Sequence, residues 1–232
     1  KVELQEEETN MVNVILLIKT QNIIYRRFAD AVEDQKYPAY KALIYVLDIP
    51  EPTAEELDSQ TAELLLAGSM LIFYTVSVTQ LNGKEFVKHS GVAKLHEIVQ
   101  YSLGVLKLTK TNKLAEELLF YAMKALSIVA SFESGRTAMV ECCPQLADDM
   151  RELMTFYQQM PVAVEYGIEF VSQCCADSEL QVALVSAGLV WKLIPLLLTF
   201  DNSSGEELAD EDQRLIYNQH SCNMQAVLAC KA

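Results

Sequence analysis

Cysteine and histidine are the side chains in this sequence best suited to nucleophilic or metal chemistry, and their spacing does not suit either. The six cysteines stand as Cys142-Cys143, Cys174-Cys175, Cys222 and Cys230, and the three histidines as His89, His96 and His220. His220-Ser221-Cys222 with Cys230 offers three metal-capable groups. That spacing matches no common zinc module, and no Cys-x-x-Cys pair occurs. A Cys–His nucleophile pair would need partners that meet only in the fold. The paired cysteines lie in apolar helical contexts, which predicts reduced, mostly buried thiols that fill core space. Carboxylates are plentiful but gather in polar clusters, where nothing would raise a pKa for acid catalysis.

Phosphate chemistry is equally unsupported. The one Gly-Lys pair, Gly83-Lys84, has Val78 where a P-loop needs glycine, and the eight glycines assemble neither a dinucleotide fingerprint nor a Gly-x-Ser-x-Gly elbow. The expectation is therefore a non-enzyme, with no catalytic residue, no cofactor and no metal. Trp191, the one tryptophan, is the aromatic best placed to anchor a partner. Its apolar neighbours Leu189, Val190, Leu193 and Ile194 predict instead an indole packed between helices.

The elements that would carry these residues are helical. Apolar residues make up 51% of 232, with eight glycines and six prolines, too little turn chemistry for a many-stranded protein. A net charge of −14 is concentrated at Glu3, Glu6, Glu7, Glu8, at Glu51, Glu55, Glu56, Asp58, and at Glu206, Glu207, Asp210, Glu211, Asp212. Such a surface repels phosphate backbones and anionic lipid heads, so direct nucleic-acid binding is not expected. From Leu64 to Gly83 no residue is charged, long enough as a helix to cross a bilayer. Ser69, Thr75, Ser77, Thr79, Gln80 and Asn82 within it favour a buried helix over membrane insertion.

Read in order, residues 1–10 are acidic and aperiodic, predicting a frayed start or a cut through a longer protein. Met11 to Ala31 follows as one helix or two, with Val14, Leu17, Ile18, Ile24, Tyr25 and Phe28 at helical spacing. Pro38 sets a new start, with Tyr40, Leu43, Ile44 and Leu47 facing inward until Pro50 and Pro52. Thr53-Ala54-Glu55-Glu56 has the form of a capping box opening a long helix to about Gln80. A grammar of short helix, breaker, second helix and third helix then repeats. Val87, Val140 and Val185 mark equivalent points 53 and 45 residues apart, close to the roughly 40–47 residues of armadillo and HEAT units. Gly91, Pro144 and Gly188 take the breaker positions, Pro161 opens a third helix through Cys175, and another third helix is predicted from about Glu206 to Cys230. Pro195, inside an apolar run, predicts a kink or a new first turn. The fold expected is an all-α, armadillo/HEAT-like right-handed solenoid of three to four repeats, one segment over 1–232 with units 11–80, 81–133, 134–176 and 177–230. The ladder of Trp and Asn of an importin-like groove is not visible.

Three stretches resemble one family in order and spacing: Tyr37-Pro38-Ala39-Tyr40-Lys41-Ala42-Leu43-Ile44; Glu63-Leu64-Leu65-Leu66-Ala67 through Leu81-Asn82-Gly83-Lys84-Glu85-Phe86-Val87 to Gly91-Val92; and Glu179-Leu180-Gln181 through Ala187-Gly188-Leu189-Val190-Trp191 and Pro195 to Asp201 and Glu206-Glu207. They resemble the armadillo-like region after the J domain in large endosomal DnaJ-like proteins of the receptor-mediated-endocytosis family, the DnaJ homolog subfamily C member thirteen type, with plant gravitropism-defective homologues. The resemblance runs from Tyr37 to about Ala226. It implies a scaffold segment of a cytoplasmic co-chaperone peripheral on early endosomes, with sorting nexin, retromer or WASH-type protein partners. Hsc70 would be engaged only through a J domain that this segment lacks, since none of the three histidines is followed by Pro-Asp. The alternative is a generic armadillo/HEAT peptide-binding module of another pathway.

Overall fold

The computed structural model describes residues 2–27, 39–156 and 159–197. Every regular element among them is a helix, and no strand occurs among them. They fall into two compact units that divide between Val129 and Ala130.

The first unit begins with α1 (Val2–Arg27), so the acidic start is helical rather than frayed. Glu and Gln are good helix formers, and carboxylates near an N-terminus suit the dipole, so helix needs no apolar stripe there. Ile15, Ile18, Asn22 and Tyr25 form the buried stripe of α1, which packs on α3 (Ser59–Val78). Leu17, expected inside, lies off that stripe and is exposed, and Phe28 is outside the described residues. Between them α2 (Tyr40–Val46) buries Tyr40 and Leu43 and is followed by buried Leu47, while Ile44 is half-buried. Pro38 lies outside the described residues.

The expected capping box at Thr53 is not the start of α3. The Asp58 carboxylate accepts hydrogen bonds from the Gln60 and Thr61 amides at 3.1 and 3.0 Å, while the Thr53 hydroxyl donates to the Glu55 carbonyl in a local turn. Asp caps at least as well as Thr and stands directly before the apolar run. Within α3 the buried hydroxyls of Ser69 and Thr75 donate to the Leu65 and Leu71 carbonyls, both at 2.8 Å, which lets a polar-spotted helix sit inside. By length and composition α3 could cross a membrane, and half of its apolar stretch is buried inside the structure.

The helix expected to run to about Gln80 ends at Val78; Thr79 is extended, and its hydroxyl accepts from the Asn82 amide to cap α4 (Gln80–Lys88). Asn82 in turn donates its side-chain N–H to the Thr75 carbonyl at 3.0 Å. The turn into α5 (Gly91–Thr109) is made by Ser90 at φ 62°, not by Gly91. Gly91 is small for another reason: a Cβ there would lie 2.4 Å from the Phe86 ring, itself edge-on to Tyr40. Val92, Leu95, Ile98 and Val99 of α5, spaced three and four residues apart, are buried. In α6 (Lys113–Ala130) no residue after Lys113 is exposed, matching its apolar circumference.

The second unit holds α7 (Glu133–Cys142), α8 (Leu146–Leu153) with a 3-10 turn at Met154–Phe156, α9 (Pro161–Cys174), α10 (Ser178–Ser186) and α11 (Val190–Leu197). Pro161 sits in the first turn of α9, where its missing N–H costs nothing. Asp177 caps α10 through the Glu179 and Leu180 amides. Gly188, at φ 80°, closes α10 in a Schellman turn: its N–H reaches the Val185 carbonyl, the Leu189 N–H reaches the Leu184 carbonyl, and both leucines are buried. Arg151 of α8 donates to the Ala187 carbonyl at the same end, and the chain bends 78° into α11. Pro195 neither starts nor ends a helix among the described residues; α11 runs through it. The carbonyl its ring leaves without a donor belongs to exposed Trp191, where water can serve it.

The repeat has a concrete register. Val87, Val140 and Val185 each occupy the eighth position of their short helix, α4, α7 and α10. The positions buried in all three are the third and seventh: Asn82 and Phe86, Gly135 and Met139, Leu180 and Leu184, with Gly83 buried as well in α4. One helical turn separates them, so each short helix turns a single narrow stripe inward.

Candidate functional site

Cys143 and Cys174 are buried and line one cavity of about 210 Å³ in the second unit, walled also by Met139, Leu146, Leu180 and Leu184. Burial pushes the Cys143 thiol up to about 12 and Cys174 higher, with the neighbouring Cys142 and Cys175 acting in the same direction. Protonated thiols in an apolar wall are poor nucleophiles and poor metal ligands. Neither His89 nor His96, the described histidines, lines the cavity. The neighbours of these two cysteines differ from expectation: Cys142 is exposed and Cys175 half-buried, because adjacent helical residues point about 100° apart and only one can face the core. Cys222, Cys230 and His220 lie outside the described residues.

His96 is buried in α5, and His89 stands 3.3 Å from one Glu85 carboxylate oxygen while Lys88 pairs with the other at 2.8 Å. The Lys88 hydrogen bond, with Lys88 and His89 charge behind it, holds Glu85 below the usual carboxylate range. Hydrogen bonds from Thr61 do the same to Asp58. Both are poised as anions, the opposite of a general acid. Among the described residues no three His, Cys, Asp or Glu side chains converge on one point.

Trp191 overturns its expectation: the indole is 76% exposed. Among the described side chains of α11, Leu193 and Leu196 turn inward, with Leu189 before it, and Val190, Trp191 and Ile194 face outward.

The first unit holds a second feature that sequence reasoning passed over. Lys19, Asn22, Ile23, Arg26 and Arg27 recur every three or four residues along one face of α1, and opposite them Glu63, Ala67, Met70 and Tyr74 do the same on α3. Between the two faces runs a groove of about 420 Å³. Lys19 pairs with Glu63 across it. Asn22 is only 7% exposed; its Nδ2 donates to the Ala67 carbonyl at 2.8 Å, and its Oδ1 is buried without a hydrogen-bond partner among the described residues. Beyond Tyr74 the surface continues into Phe73, Tyr121 and Phe120, with the Lys124 ammonium over the Phe73 and Phe120 rings. A polar residue in an apolar helical stripe, followed four residues later by an Arg pair, was the available signal.

Comparison with known proteins adds one relative. The chain is 28% identical over 223 residues, 93% of its length, to the protein named DnaJ homolog subfamily C GRV2 of Arabidopsis thaliana. It spans 9% of the length of that relative. The similarity supports a relationship to a DnaJ-C protein. No protein-family description matches the chain, and no solved structure matches it.

Proposed function

We propose, from that relationship to a DnaJ-C protein, that the chain is a non-catalytic, armadillo/HEAT-like solenoid segment of an endosomal J-domain co-chaperone of the member-thirteen type, presenting a surface to protein partners in endocytic sorting. The observation that carries the reading is the similarity over 93% of the chain, which makes a chance local match a poor explanation. The shared register of α4, α7 and α10 supports the solenoid part, because helices buried at the same two positions suit a stack of like units. Thiols held protonated and carboxylates held ionised support the non-catalytic part. In this reading the segment works in the cytoplasm, at the early-endosome surface, through sorting nexin, retromer or WASH-type partners.

A second reading, a peptide-binding repeat module of another pathway, draws on the α1/α3 groove with its cationic rim and buried asparagine. The test is affinity capture from an endosome-rich lysate with the chain as bait, and mass spectrometry of what is retained. Sorting nexins or WASH components are the expected recovery. Repeated recovery of nuclear or junctional proteins, with no endosomal ones, would overturn the endosomal assignment.

A further inference from the structure

The register of the short helices carries on in the sequence beyond the described residues. Thr79, Phe132 and Asp177 stand at the N-caps of α4, α7 and α10, 53 and 45 residues apart. Another 44 residues on stands Ser221, a residue type that caps helices well. Counted from it, the third and seventh positions, buried in all three short helices, are Met224 and Leu228. The eighth, valine three times before, is Ala229. Gln225-Ala226-Val227-Leu228 also echoes Gln181-Val182-Ala183-Leu184 of α10. A break at Ser221 leaves residues 206–219 for the preceding third helix, as long as the 14 residues of α9. One unbroken helix over 206–230 would be longer than both α6 and α9.

A seat for such a helix is present on α11. The second helices α8 and α11 bury matching residues, Leu146, Met150 and Leu153 in one place and Leu189, Leu193 and Leu196 in the other. Beside that stripe α8 carries the short helix that follows it: Leu146 and Ala147 share a cavity wall with Leu180, Ala183 and Leu184 of α10, and Arg151 donates to the Ala187 carbonyl. On α11 the same places belong to Leu189, Val190 and Ile194. Val190 is 45% exposed, whereas Ala147 is half-buried beside α10. We propose that residues 222–230 form a short helix, capped by Ser221, that packs on this flank of α11 with Met224, Val227 and Leu228 toward Leu189 and Val190. Val190 and Val227 stand where Ala147 and Ala183 stand one unit earlier, a gain in volume that suits filling the hollow found beside α10. Lys231 follows the last turn, where a cation suits the helix dipole. The Arg151 hydrogen bond has no copy, since Ile194 takes its place. Trp191 takes the place of Asp148, which is exposed although α10 is seated on α8, so an exposed indole accords with an occupied seat. This flank is then an internal contact of the stack, closed to outside partners. The inference rests on the solenoid reading but not on the endosomal one.

The test is photo-cross-linking of the 232-residue chain. A Val190→benzoylphenylalanine chain, irradiated in dilute solution, should form an intramolecular bridge to residues 222–230, located by peptide mass spectrometry. Leu228→Asp should abolish that bridge and the hydrogen-exchange protection of amides 226–230. Ala229→Asp should leave both, because the eighth position, exposed Val185 in α10, points away from the stack. Cys222→Pro separates a helix capped at Ser221 from a continuous one. Proline is tolerated in a first turn, so the bridge should persist, whereas in mid-helix it would be lost. A bridge from position 190 to a second molecule, none to residues 222–230, or loss of the bridge in Cys222→Pro would each overturn the proposal. An Ala147→benzoylphenylalanine chain keeps this failure distinct from failure of the solenoid reading. If position 147 bridges to α10 and position 190 reaches nothing in 222–230, the proposal falls alone; if neither bridges, the stacking falls with it.

Discussion

Two hollows among the described residues are built from similar helices and lined by different side chains. In the second unit, Cys143 and Cys174 face a pocket walled by leucine and methionine, and burial keeps both thiols protonated. In the first, α1 and α3 meet over a groove that admits solvent to its cationic rim and leaves one buried amide oxygen unanswered. The difference comes from what stands at the buried helical positions. Where the stripe is apolar throughout, neighbouring helices close over it. Where Asn22 interrupts the stripe of α1, its Nδ2 is satisfied by the Ala67 carbonyl and its Oδ1 is buried without a hydrogen-bond partner among the described residues.

The widest way to sharpen that contrast is to open each core separately. Phe86→Ala in the first unit and Phe170→Ala in the second remove fully buried rings and should each cost about 3–5 kcal/mol in urea unfolding. If the units melt as separate cooperative bodies, each substitution will shift one transition; a single transition moved by both would show that they unfold together.

The thiols come next. Cys174→Ser places a hydroxyl in the apolar pocket wall and should cost about 1–3 kcal/mol, whereas Cys142→Ser, on the exposed side, should stay within about 0.5 kcal/mol. The same burial sets a pH dependence. The Cys143 thiol titrates at about 12 in the fold against 9.0 ordinarily, so above pH 9 the unfolded chain releases a proton that the folded chain keeps. Stability is fully present below 9 and should decline as pH rises toward 12, with a shallower slope in Cys143→Ala. An unchanged slope would mean that the cavity is wet.

The helix caps offer a smaller, symmetrical test. Asp58 and Asp177 accept from the same two amide positions of α3 and α10, so Asp58→Ala and Asp177→Ala should cost about 1 kcal/mol each, while Thr53→Ala should cost almost nothing. Smallest of all is Glu63→Gln. It breaks an exposed ion pair at the groove and should change thermal stability by less than about 1 kcal/mol.

Much of this architecture is legible in the chain because it depends on neighbours a few residues away. Hydrophobic spacing locates α5 and α6, Pro161 opens α9, Gly188 closes α10 with the positive φ its type permits, and the valines of α4, α7 and α10 share one register. Local competition explains the near misses. Asp58 outcompetes Thr53 as a cap, so α3 starts later than the capping-box form suggests. The similarity to a DnaJ-C protein likewise lies in residue order, not in shape.

What tertiary structure alone decided is which side of each helix faces another. Leu17 and Trp191 are apolar and exposed, Asn22 and His96 are polar and buried, and Cys142 and Cys143 are adjacent yet divided between solvent and core. The physical reason is that periodicity sets which residues share a face, while the partner helix sets which face is covered. The groove follows from the same rule. Arg26, Arg27 and Asn22 come to line one groove with Glu63 and Tyr74 only because α1 lies along α3, more than forty residues further along the chain.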